Sequence, residues 1–159
     1  MGKLKKERNY AMQPTQKEAT LLKDMKGQEK LCAEKYAKYA EAAHDPQLKN
    51  LFSKISGEEW EHHAMLEKME KGEIPTVSAG GAAPTFTATY SGETAEKKDD
   101  AYLCQDLLSM EKHVSHTYDT CVFEFTSKEA RDVLSAIQKK EQEHGKALYD
   151  YMSANGMYA

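Results

Sequence analysis

Apolar residues recur along this chain at steps of three and four, in four stretches long enough to be helices. The first runs Leu22, Met25, Cys32, Tyr36, Tyr39 and Ala43, and the second Leu48, Phe52, Ile55, Leu66 and Met69. The third runs Cys104, Leu107, Val114, Tyr118, Cys121 and Phe125; the fourth runs Ala130, Leu134, Ile137, Leu148 and Tyr151. Helix punctuation bounds these stretches. Thr15 with Glu18 forms a capping box that opens the first, which nothing breaks until about Ala43. Asp45 as cap and Pro46 as first helical residue open the second, predicted to end near Lys71 ahead of Gly72 and Pro75. The third is predicted from about Asp100 to Thr126. Ser127 caps the fourth, and Asn155 with Gly156 stops it. Residues 72–99, with Gly72, Pro75, Gly80, Gly81, Pro84 and Gly92, read as a long crossover. The expected organisation is a tail over 1–14, a hairpin over 15–71, the crossover, and a hairpin over 100–155.

Each apolar stripe is interrupted where a further apolar residue is due. The first lacks one at Glu29 and the third at Glu111, while the second lacks them at Glu59 and His62 and the fourth at Glu141 and His144. All six are metal-ligand types. The constant offset that carries Glu29 onto Glu111 superposes the two halves without a gap: Tyr36 falls on Tyr118, Glu59 on Glu141, His62 on His144, and cap Asp45 on cap Ser127. The chain therefore reads as a duplicated helical hairpin. Two such hairpins imply an all-α, antiparallel four-helix bundle.

Glu29 and Glu59 lie equally far from residue 44, and Glu111 and Glu141 equally far from residue 126. An antiparallel turn at each point puts each pair side by side, about 22 Å from the turn at about 1.5 Å per residue. That is mid-helix. A crossover running the length of the bundle then lets all four carboxylates share one layer, and a linker of this length reaches the roughly 40 Å required at about 3.3 Å per residue. Four carboxylates and two imidazoles cannot stay ionised in an apolar layer unaided. Two divalent cations cancel four carboxylates. A Glu from each of two helices, with Glu-x-x-His from each of the other two, is the ligand set of di-iron and di-manganese bundles. A buried, partly protonated hydrogen-bond network is the alternative. Tyr36 and Tyr118 stand two turns beyond Glu29 and Glu111, where a phenol could hydrogen-bond a ligand carboxylate across the bundle, with ordinary core packing as the equal alternative. Glu34, Glu58, Glu61, Glu143, His63, His113 and His116 fall off the stripes and are expected at the surface, as is His44 in its turn.

Composition narrows the partners. With 22 Lys and Arg against 26 Asp and Glu, the net charge of −4 gives no reason to expect nucleic acid or an anionic membrane. No apolar run follows the basic start MGKLKKER, and none has the length of a membrane span, so a soluble intracellular protein is expected. Three widely spaced cysteines argue against a disulfide framework or a thiolate zinc site.

The stretches LCQDLLSMEKHVSHTYDT, IQKKEQEHGKALYDYM and the terminal NGMY resemble the spore coat protein F family, within the wider ferritin-like superfamily. That resemblance implies a ferritin-like bundle located in the mother-cell cytoplasm or the spore coat, with spore coat proteins as partners or a homodimer or other homo-oligomer as the assembly. Similarity to rubrerythrins implies two divalent metal ions held by Glu29, Glu59, His62, Glu111, Glu141 and His144. Iron is the first choice, manganese the second, and zinc an adventitious occupant. It further implies an oxidoreductase of peroxidase, catalase-like or ferroxidase-like type, although no four-cysteine rubredoxin module lies in these residues to act as internal electron donor. The competing expectation is a coat building block whose metals only stabilise the bundle, with nine tyrosines for cross-contacts.

Overall fold

The computed structural model describes residues 12–77 and 80–158. Those residues form four helices: α1 (Gln16–Ala42), α2 (Pro46–Glu70), α3 (Ala95–Val122) and α4 (Lys128–Ala154). Thr15 closes the expected capping box with Glu18, while Asp45 and Ser127 cap the helices that follow them. Gly72 and Gly156 end α2 and α4 with positive φ, a conformation that a side chain would strain. No helix among the described residues is long and apolar enough to cross a membrane.

α1 packs along α2 and α3 along α4, while α1 also meets α3 and α2 meets α4. The crossover returns the chain to the end of the bundle where α1 gives way to α2. There Asp100, near the start of α3, accepts hydrogen bonds from the backbone N–H of His44 and Asp45. At the opposite end Glu18, near the start of α1, accepts from the N–H of Thr126 in the α3–α4 turn. The offset that relates the two halves carries Glu18 onto Asp100 and His44 onto Thr126, so each half latches the other half's turn in the same way. Every neighbouring pair of helices is antiparallel.

Two boundaries differ from expectation. α3 begins at Ala95 behind the cap Thr94, whose hydroxyl accepts from the N–H of Lys97, and it ends at Val122. Its first turns bury Lys97 and Asp100 rather than apolar residues, so apolar periodicity does not register them. The expected tail over 1–14 lies outside the described residues except for its last positions, where Met12 is buried in the core and bonds to the carbonyl of Gly72.

The core falls into two apolar clusters. One holds Leu22, Met25, Leu66, Met69, Val114, Tyr118, Leu134 and Ile137; the other holds Tyr36, Leu48, Phe52, Ile55, Cys104, Leu107, Leu148 and Tyr151. The offset between the halves exchanges one cluster for the other. Between them lies a layer that is not apolar.

Candidate metal centre

Glu29 of α1, Glu59 and His62 of α2, Glu111 of α3, and Glu141 and His144 of α4 meet in that layer, none more than 3% exposed. Helical spacing accounts for the convergence: i and i+3 share a face, so each Glu-x-x-His projects carboxylate and imidazole the same way. Both imidazoles turn Nδ1 toward the carboxylates. Nδ1 of His62 lies 3.0 Å from Glu141, 3.5 Å from Glu59 and 3.7 Å from Glu29. Nδ1 of His144 lies 2.7 Å from Glu59, 3.4 Å from Glu111 and 3.5 Å from Glu141. The two rings stack with centroids 6.0 Å apart.

The outer carboxylates are steered from across the bundle. Tyr118 donates its phenol to Oε1 of Glu29 at 2.6 Å, and Tyr36 donates to Oε1 of Glu111 at 2.6 Å. One oxygen of each carboxylate is thereby held, and the other, Oε2 in both cases, is left without a hydrogen-bond partner among the described residues. Both oxygens of Glu59, Oε2 of Glu141 and Nδ1 of His144 likewise find no partner among the described residues. Leaving one such buried group unsatisfied costs about 1–3 kcal/mol, so a cluster of six calls for a further partner, a proton or a cation.

Proximity already disturbs their protonation. Burial pushes Glu29 above its ordinary range, with Glu141 adding to the effect, and it carries Glu59 to about 7 with the help of Glu29. Burial and the repulsion of Glu141 bring Glu111 to about 8. Burial would raise Glu141 too, but the close approach of Glu111, His144 and His62, whose protons favour its charged form, outweighs it and holds that carboxyl low. Both imidazoles run well above their usual range, because carboxylate partners overcome the burial that would lower them. Without a metal, the layer retains protons at neutral pH.

These donors fit divalent ions. Two groups, Glu29–Glu59–His62–Glu141 and Glu59–Glu111–Glu141–His144, each bring one atom per residue to within 4.8 Å of one another. Around an ion with bonds of about 2.1 Å, adjacent ligand atoms lie about 3 Å apart and opposite ones about 4.2 Å, which spans the same range. Glu59 and Glu141 belong to both groups, so they occupy the middle of the layer.

Glu34, Glu61, Glu143, His113 and His116 are exposed, as expected, and His63 is half-buried edge-on to Trp60. Glu58 departs from expectation. It is half-buried, and its Oε2 lies 2.6 Å from Nε2 of His144. Being one residue before the stripe position Glu59, it is turned about 100° around α2, which aims it at α4 rather than at water. The one trace of this in the sequence is a broken repeat: its counterpart in the second half is Lys140.

Residues 99–159, most of α3 and all of α4, match the Coat F domain family. No curated protein and no solved structure matches the chain.

Proposed function

We propose that this chain is a ferritin-like di-metal carboxylate protein with redox chemistry toward O2 or peroxide. Glu59 and Glu141, which belong to both groups, would serve both ions; Glu29 and His62 would hold one with them, and Glu111 and His144 the other. The observation that carries this reading is the set of unpartnered buried oxygens arranged around two four-residue groups that share their central carboxylates. Iron or manganese bound there would supply the electrons that reduce O2 or peroxide. The residues of the chain position that chemistry. Tyr36 and Tyr118 fix the outer carboxylates, the apolar clusters on either side exclude bulk water, and the helices hold the ligands at mid-length where fraying is least.

The Coat F match favours a second reading, in which the protein is a structural component of the spore coat and its metals only staple the bundle. Both readings place the chain in the mother-cell cytoplasm or the coat, assembled with coat proteins or with its own copies. Anaerobic loading with Fe(II) followed by exposure to O2 or hydrogen peroxide separates them. Oxidation of the bound iron and consumption of the oxidant support the redox reading; a loaded protein that melts higher yet stays redox-silent supports the structural one.

Replacing a supporting tyrosine tests the geometry directly. Tyr118→Phe removes the donor to Glu29 and is expected to weaken metal binding about tenfold, within the usual range for such supporting groups, while the helices persist. Metal titration beside circular dichroism measures both, and unchanged affinity would deprive Tyr118 of its role.

A further inference from the structure

The two halves of the layer repeat each other in almost every contact. Tyr36 with Glu111 matches Tyr118 with Glu29, and the hydroxyl of Ser56 on the carbonyl of Ala33 matches the amide of Gln138 on the carbonyl of Ser115. The repeat breaks behind the imidazoles. His144 turns Nε2 to Glu58 at 2.6 Å, whereas the related position behind His62 holds Lys140, which has donors but no acceptor. Among the described residues the hydrogen bond of the His62 ring runs through Nδ1 to Glu141. Lys140 instead leans toward the anions around it, 3.8 Å from Glu58 and 3.6 Å from Glu143.

The break coincides with an opening. A cavity of about 200 Å³ lies between α2 and α4 under residues 81–84, and Glu58, Lys140 and His144 line it together with Ile55, Pro84 and Ala147. His62 is not part of its wall. Glu58 thus stands between the solvent side and the imidazole of one half only.

We propose, building on the di-metal reading above, that Glu58 is a positioning residue that makes the two metal positions inequivalent. By accepting from Nε2 it fixes the tautomer and orientation in which His144 would offer Nδ1 to the ion shared with Glu111, and among the described residues His62 has no such support. An imidazole whose far nitrogen donates to a carboxylate is a stronger and better-aimed ligand, and such outer partners are commonly worth 10–100-fold in metal affinity. The ion held by Glu111 and His144 therefore binds more tightly than the ion held by Glu29 and His62, and it is the one beside the cavity.

Titration with Co(II), followed by calorimetry and by visible absorption of the bound ion, tests this on the full chain. Wild type is expected to take two ions in two resolved steps. Glu58→Ala weakens the tighter step by about 10–100-fold and leaves the other within about threefold, so that the steps converge. Glu58→Gln, whose amide oxygen can still accept from Nε2, keeps both steps within about threefold of wild type, and Lys140→Ala does the same. Equal weakening of both steps by Glu58→Ala, or no change in either, overturns the inequivalence while leaving the di-metal reading intact. Wild type that takes no Co(II) removes the di-metal reading and this inference together. Thermal melts of the metal-free variants show that any loss is not a loss of fold.

Discussion

Loading the metal-free chain with Mn(II), at a free concentration about 100 times the weaker of its two dissociation constants, is expected to raise its unfolding midpoint at pH 7.5 by at least about 10–20 °C. Each ion that binds only the folded state contributes about 2.7 kcal/mol at that excess, and two contribute about 5 kcal/mol. In a chain of this size about 1 kcal/mol moves the midpoint by about 2–4 °C. The difference should also grow with pH. Glu59 and Glu111 hold protons up to about 7 and about 8 when folded but lose them in the ordinary carboxyl range when unfolded, and the raised imidazoles act in the same sense. Between about pH 5 and 8 the folded metal-free state therefore carries more protons than the unfolded one, so raising the pH favours unfolding. Glu141 has the opposite sign, but its lowered value confines its effect below that window. Metal-free protein should lose several kcal/mol of stability from pH 5 to 8, at about 1.4 kcal/mol for each extra proton held over one pH unit. Loaded protein, whose ligands are already deprotonated, should not. Scanning calorimetry of both forms across this range measures the divergence, and parallel pH profiles would contradict it.

Asp100→Ala should cost about 3–5 kcal/mol, more than any substitution at the surface of the bundle. Asp100 is fully buried and accepts from the N–H of His44 at 2.8 Å, the N–H of Asp45 at 3.0 Å and the phenol of Tyr90 at 2.6 Å. Removing it strands three donors at about 1–3 kcal/mol each, and the sum is smaller only where water reaches them. It also loosens the crossover, because Tyr90 is one of the points that hold residues 86–90 down. Further points are the N–H groups of Thr89 and Tyr90, which meet Oδ1 of Asn155, the side chain of Gln47, which bonds to Thr87 and Thr89, and Phe86, which packs edge-on against Tyr151. Urea denaturation of the metal-free variant gives the cost without interference from metal binding. A loss below about 1 kcal/mol would mean that the latch contributes little.

Much of this architecture is legible in the sequence, because its signals are local. The caps Thr15, Asp45 and Ser127 act within one helical turn, and the interrupted stripes need only the helical period to be read. Comparing the two halves then assigns Glu29, Glu59, His62 and their counterparts to a common level, and the structure brings these six together. What periodicity cannot reach is the buried polar residue whose partner lies far along the chain. Thr94 opens α3 ahead of the buried charges Lys97 and Asp100, so an apolar stripe starts that helix too late. Glu58 looks like an ordinary surface acid until α4 is placed beside it, and Glu18 gives no sign in sequence that it also holds Thr126.

The central claim is most directly tested by elemental mass spectrometry of protein purified without chelator, beside Glu59→Ala and Glu141→Ala. About two iron or manganese ions per wild-type chain are expected, with both lost in each variant, because each carboxylate serves both positions. A folded wild type that carries no metal, and takes up none when iron or manganese is supplied, would contradict the claim and leave the layer as a protonated hydrogen-bond network.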